Sequence, residues 1–264
     1  MRLKRLLSGK ASVEVAEEKG VRTLHLGGDA IQSAMRLSAP DRLELAYTRA
    51  MMSALLFKEA PREILMIGLG GGSIARFAHQ RMLNSRMTVV EINPKVVAAA
   101  RSFFGVPFDD ARLKVEVADG GAYVRAHPSS CDLLLLDAFD DGRSVKSLAT
   151  QSFYDACAAS LRPGGVFSVN FIEDEPRFPA YLNRIENAFK GRVLVMPSED
   201  RVNNIVLAIK DGPVRLAIEN LKRQARALKR RYELPFDLFL RDLLEHNDRT
   251  SAYLRLGLPE ASSD

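Results

Sequence analysis

The sequence predicts an α/β protein: a doubly wound, mostly parallel sheet of seven strands, with a small N-terminal β-hairpin region and a helical C-terminal tail. Three observations predict it. Short, wholly apolar runs alternate with helix-length stretches through the middle of the chain. A glycine-rich turn, Gly68–Gly72, stands where the first of those runs meets the next helix. Successive runs end in a lone acid: Glu91, Asp119 and Asp137. Buried strands joined by crossover helices form parallel sheets with right-handed connections, the Rossmann-like arrangement.

Residues 1 to about 60 form the small N-terminal region. Segments 14–19 and 21–26 read as a hairpin closed near Gly20 and ended by Gly27-Gly28, and apolar positions from Leu43 to Phe57 recur at helical spacing. Residues 61–211 carry the sheet. Its expected strands are 64–67, 87–91, 113–117, 132–137 and 165–170, with a helix from Pro94 to Phe104. Segments 192–196 and 204–209 read as a terminal hairpin that sets an antiparallel strand near one edge. Residues 212–264 form a helical extension. Within it Pro235 to Leu244 is amphipathic and is expected to pack on the main domain or on a second subunit.

Composition bounds the function. The 264 residues are 47% hydrophobic, enough for one sizeable core, and 27% charged, as expected of an ordered globular chain. The basic N-terminus lacks the long apolar stretch of a signal peptide, and no run approaches the ~18 apolar residues of a membrane span. A soluble, cytoplasmic protein with no membrane partner is expected. Cys131 and Cys157 sit in no CxxC pattern and the four histidines show no ligand spacing, so no metal is expected. The net charge of +5 owes much to the run 222–231. Without interleaved aromatic residues that run reads as a solvated helix face, and no nucleic-acid partner is expected.

The chemistry gathers where strands end. Glycines at 68, 70 and 72 let the backbone turn tightly and approach a ligand at the positive end of a helix. Glu91 can accept both hydroxyls of a ribose. Asp119 can accept the amino group of an adenine, and Gly120 leaves room for the ring. With Asp137, four strand ends deliver their residues to the carboxyl edge of the sheet, where open α/β sheets bind ligands. Ser73 breaks the strict GxGxxG dinucleotide fingerprint. The acid ending the third strand and Leu161-Arg-Pro-Gly-Gly165 instead resemble class I methyltransferase-like domains, which bind an adenosyl sulfonium.

From Gly28 to about Asn170 the chain resembles the spermidine synthase (polyamine aminopropyltransferase) family. The residues that carry the resemblance are 26–32 ending in Gln32, Leu45-Ala-Tyr47, Val90-Glu-Ile-Asn93, Ala118-Asp-Gly120, Asp137-Ala-Phe-Asp140 and 148–154. It implies transfer of an aminopropyl group from decarboxylated S-adenosylmethionine to a polyamine or related small amine, with release of methylthioadenosine. It further implies Asp137 as the proton acceptor, Gln32 on the donor, Tyr47 and Asp140 on the amine substrate, and a homodimer. Asp141 and Glu173-Asp-Glu175 would add negative potential around a polycation. The pattern is broken in four places. Gly71 stands where the family carries an acid, Thr48 where it has histidine, Asp141 where it has proline, and Asn170 where it has glutamine. A methyltransferase using intact S-adenosylmethionine is therefore the alternative.

Overall fold

Strands buried on both faces need apolar residues throughout, and strands at an edge alternate. The central sheet follows that rule. The structure, a computed structural model, describes residues 4–6, 13–28, 30–140, 143–144 and 148–256, with 4–6, 139–140 and 143–144 through their backbone alone.

The chain begins with an antiparallel sheet of β1 (Lys4–Leu6), β2 (Val13–Glu18), β3 (Val21–Leu26) and β4 (Ser33–Arg36), in that order. The expected hairpin is β2–β3, turned at Lys19–Gly20, and two further strands flank it. Next comes α1 (Ala46–Met51), which tightens into a 3-10 helix over Met52–Leu56. The helix starts later than its periodicity suggests. Arg49 Nη1 donates to the carbonyls of Leu43 and Glu44, holding them outside the helix, and Ser168 Oγ donates to Met51 O where the winding tightens.

Then follow β5 (Glu63–Ile67), α2 (Ser73–Arg81), β6 (Arg86–Glu91), α3 (Pro94–Phe104), β7 (Leu113–Val117), α4 (Gly120–Ala126), β8 (Cys131–Leu136), the two-residue strands β9 (Phe139–Asp140) and β10 (Arg143–Ser144), α5 (Gln151–Ser160), β11 (Leu161–Ile172), α6 (Phe178–Ala188), β12 (Val193–Pro197) and β13 (Asn203–Ile209). The seven-stranded sheet has the order β12-β13-β11-β8-β5-β6-β7. All neighbours are parallel except β13, which runs antiparallel to both β11 and β12. Every residue of β8 is buried, whereas edge strand β7 alternates. Helix ends carry their own signals. Asn93 caps α3 ahead of Pro94, and Gly105, at φ +66°, ends it.

The chain leaves β5 toward β6 and β7, then returns to lay β8 on the other side of β5. The crevice between the carboxyl ends of β5 and β8 is thus the topological switch point. One face of the sheet packs with β2, β3, α1–α3 and the C-terminal helices into one apolar core; the other packs with α4–α6.

The tail comprises β14 (Arg215–Ala217), α7 (Ile218–Tyr232), α8 (Phe236–His246) and β15 (Tyr253–Arg255). Leu228, Phe236 and Phe239 are fully buried in the first core, so the tail packs on its own chain. Pairing of β14 with β15 adds a two-stranded sheet where helix alone was expected. Strands of three residues are too short to show a period.

Candidate active site

The turn after β5 is shaped by contacts that exclude side chains. Gly68, Gly70 and Gly72 have φ of +92°, +53° and +68°. A Cβ at Gly68 would overlap the backbone oxygen of Asp137, and one at Gly120 would overlap the Ile67 side chain. The backbones of β5 and β8 close together here, with Asp137 N donating to Ile67 O at 2.9 Å.

The turn is fastened to the N-terminal sheet. Gly71 N donates to Ser33 Oγ at 2.7 Å and Ser73 Oγ to Ala34 O at 3.3 Å. Arg76, 1% exposed, donates from Nη1 to Gly71 O and from Nε to Pro40 O. Burial lowers its pKa to about 10, against the opposing pull of Asp41. Gly71 has no room for an acid: a Cβ would meet Ser33 Cβ at 2.9 Å and Phe104 Cδ1 at 3.0 Å. Thr48 is likewise structural, buried with its hydroxyl donated to Leu45 O.

Glu91 ends β6 beside the turn, 8% exposed. Its Oε2 accepts from Leu69 N at 2.9 Å and its Oε1 from Asn93 N at 2.8 Å. These amides fix the carboxyl orientation and leave each oxygen a further lone pair. Burial raises the Glu91 pKa, and the amides partly offset it. Asp119, exposed, caps α4 by accepting from Ala122 N at 2.6 Å. Ile92 and Val117 lie 67% and 55% exposed at the same edge. Apolar side chains left open beside two acids are suited to the faces of a flat ring.

Asp137 sits at the centre. Asn170 Nδ2 donates to its Oδ1 at 3.2 Å, and the Tyr47 hydroxyl lies within hydrogen-bonding reach. That hydroxyl donates to Gln32 O at 3.2 Å, so Gln32, Tyr47 and Asp137 lie side by side. The residue keeps some surface, but its carboxyl group is enclosed. Desolvation lifts its pKa to about 6, against the hydrogen bonds from Asn170 and Tyr47. Burial and the nearby carboxylate push the Tyr47 phenol well above its ordinary range. A carboxylate with a pKa near 6 is a base matched to neutral pH.

Tertiary structure therefore brings Gln32, Tyr47, Gly68, Gly70, Gly72, Glu91, Asp119, Gly120 and Asp137 to one edge. Asp140 is described only through its backbone, paired with Arg143, and Asp141 lies outside the described residues. Glu173–Glu175 follow β11 on an open loop whose first amide donates to Val202 O. Sequence reasoning passed over Ser33 and Arg76, and took in Ile92 only as part of the segment 90–93. Ile92 carried a signal, an apolar residue directly after a strand-end acid. Ser33 and Arg76 carried none, because their partners are distant in the chain. Among the described residues, no group of three or more His, Cys, Asp or Glu is placed to hold a metal, and no helix is long and apolar enough to cross a membrane.

Residues 44–185 match the model of the spermine/spermidine synthase domain. A polyamine aminopropyltransferase of Chromobacterium violaceum is 38% identical over 253 residues, 96% of this chain and 97% of that protein. Among solved structures, a probable spermidine synthase from Corynebacterium glutamicum aligns with a TM-score of 0.72 at 21% identity, over 98% of this chain and all of that one. Human methyltransferase-like protein 13, solved with SAH, aligns with a TM-score of 0.64 at 29% identity, over 72% of this chain and 94% of that one.

Proposed function

The chain belongs to the spermine/spermidine synthase family, a family of transferases, and from that premise we propose that it moves an aminopropyl group from decarboxylated S-adenosylmethionine to a small amine of the polyamine class. The observation that carries the reading is Asp137: a desolvated carboxyl group at the switch point, held by Tyr47 and Asn170, with a pKa near 6.

In the proposed arrangement the glycine turn supports the sulfonium end of the donor. Glu91 takes the ribose hydroxyls and Asp119 the adenine amino group, with Ile92 and Val117 along the ring and Gln32 at its side. The acceptor arrives as an ammonium ion, whose lone pair is blocked. Asp137 takes one proton, and the freed nitrogen attacks the donor methylene next to sulfur. The N–C bond forms, the C–S bond breaks, and its electron pair returns to sulfur as the neutral thioether methylthioadenosine. Tyr47 and Asp140 are proposed to orient the amine.

Likeness to an aminopropyltransferase over nearly the whole chain favours aminopropyl over methyl transfer. Gly71 is why the intact donor belongs in the test, since no acid stands there to select against its carboxylate. Purified protein given the decarboxylated donor and a panel of diamines and triamines is expected to release methylthioadenosine with at least one of them. With intact S-adenosylmethionine, turnover is expected to be at least tenfold slower. Absence of methylthioadenosine from every pairing overturns the proposal.

A further inference from the structure

Tyr47 lies in the first turn of α1, and its hydroxyl stands between Gln32 O, at 3.2 Å, and the Asp137 carboxyl group. The helix is six residues long, and no side chain caps its N-terminus. A helix that short is marginal by itself, so its place depends on what holds it. Arg49, in its last turn, supplies a hold through four hydrogen bonds. Its Nη1 donates to Leu43 O at 2.9 Å and to Glu44 O at 2.7 Å. Its Nε and Nη2 donate to the two carboxylate oxygens of Glu199 at 2.9 and 3.5 Å. The paired side chains are 25% and 30% exposed, so the pair is largely shielded from water.

Glu199 belongs to the turn between β12 and β13, 150 residues away from Arg49. Because β13 runs antiparallel to β11, with Asn203 opposite Ile172, this turn stands at the sheet edge where Asp137 lies. The turn is tied down on its own account. Ser198 Oγ donates to Asp200 Oδ1 at 2.6 Å, Ser198 N to Asn203 O at 2.7 Å, and Glu173 N to Val202 O at 2.9 Å. A planar guanidinium that grips a carboxylate on one side and two carbonyls on the other fixes position as well as charge, which an ammonium group does not. We propose that Arg49 and Glu199 form a brace that positions Tyr47: the turn after β12 holds the guanidinium, the guanidinium holds the chain entering α1, and α1 sets the phenol beside Asp137. Both are positioning residues, acting on the amine through Tyr47. This inference rests on the aminopropyl-transfer reading above.

Two variants test the brace. Arg49→Gln removes the whole fork, and Glu199→Ala removes the carboxylate and leaves the carbonyl contacts in place. Each is expected to raise the KM for the amine at least about fivefold, while the affinity for methylthioadenosine, measured by calorimetry, stays within about twofold of the parent. The rise of turnover with pH, near 6 in the parent, is expected to move to higher pH in both, because a displaced Tyr47 no longer donates toward the Asp137 carboxylate. In a Tyr47→Phe background either change is expected to alter the amine KM by less than about twofold. Should Arg49→Gln fail to fold, Glu199→Ala, a change in a surface turn, carries the test alone. A folded variant with the parent's amine KM overturns the inference, and so does an effect undiminished in the Tyr47→Phe background. Should the parent release no methylthioadenosine from any amine, the reaction assigned above fails on its own. Fluorotyrosine labelling then still decides the brace. The fluorine resonance of Tyr47, identified by its loss in Tyr47→Phe, is expected to move in Glu199→Ala, and an unmoved resonance overturns the inference.

Discussion

A methyl group at Gly68 would overlap the carbonyl oxygen of Asp137, and the backbone there has a φ of +92° that L side chains rarely adopt. Gly68→Ala is therefore expected to destabilise the fold by roughly 2–4 kcal/mol in urea denaturation. Asp137 makes the opposite trade. Its folded-state pKa of about 6 lies above that of an unfolded carboxyl group, so the folded state holds the proton more tightly. The stabilisation this brings is full below pH ~4 and lost as pH rises through about 6. Above pH 6 the buried charge is a burden of up to about 3 kcal/mol, which the proposed proton transfer would account for. Asp137→Asn is expected to raise the melting temperature at pH 8 but not at pH 4, and to lower turnover by roughly 10²–10⁴-fold. In the parent, turnover should climb as pH passes about 6. A flat pH profile between 5 and 8 would remove Asp137 from the proton transfer.

At the scale of elements, the join between β4 and the glycine turn is the feature with the greatest consequence. Ser33 Oγ accepts the Gly71 amide, and the Ser33 and Phe104 side chains occupy the space a side chain at 71 would need. The missing acid is thus a repacked position, and Gly71→Asp is expected to disturb the turn without restoring a family contact. Ser33→Ala leaves a buried N–H without its acceptor, at an expected cost of about 1–3 kcal/mol in denaturant unfolding and a weaker affinity for methylthioadenosine. Unchanged stability and affinity would show that the join does not support the turn. The regular elements were the legible ones. Apolar runs bounded by Gly, Pro and acids placed β5–β8 and β13 within a residue, and Asn93-Pro94 with Gly105 marked both ends of α3. The 3-10 winding after α1 and the β14–β15 pair escaped notice, because each depends on partners far away in the chain.

For the molecule as a whole, the C-terminal helices belong to the same apolar core as β2, β3 and the central sheet. Phe239 and Leu228 are fully buried in it. Phe239→Ala is expected to cost about 3–5 kcal/mol and to shift the single unfolding transition of the entire chain. A separate, earlier transition for the tail would show that it folds independently. The basic face of α7 remains solvated, and its neighbours balance part of the charge: Lys222 pairs with Glu219 and Lys229 with Asp237. Net charge says little about a site whose own acids lie at the far ends of β6, β7 and β8.

The sequence by itself determined the sheet, its glycine turn and the strand-end acids, because burial on both faces and tight backbone turns each demand particular residues in consecutive order. Tertiary structure alone decided which side chains meet. Tyr47 and Asn170 converge on Asp137 from an N-terminal helix and a strand laid down more than a hundred residues later. The pKa of that carboxyl group depends on how thoroughly the fold removes it from water, and Asn170 Oδ1 is buried there with no partner among the described residues. Desolvation is a property of the assembled surroundings, and no local pattern encodes it.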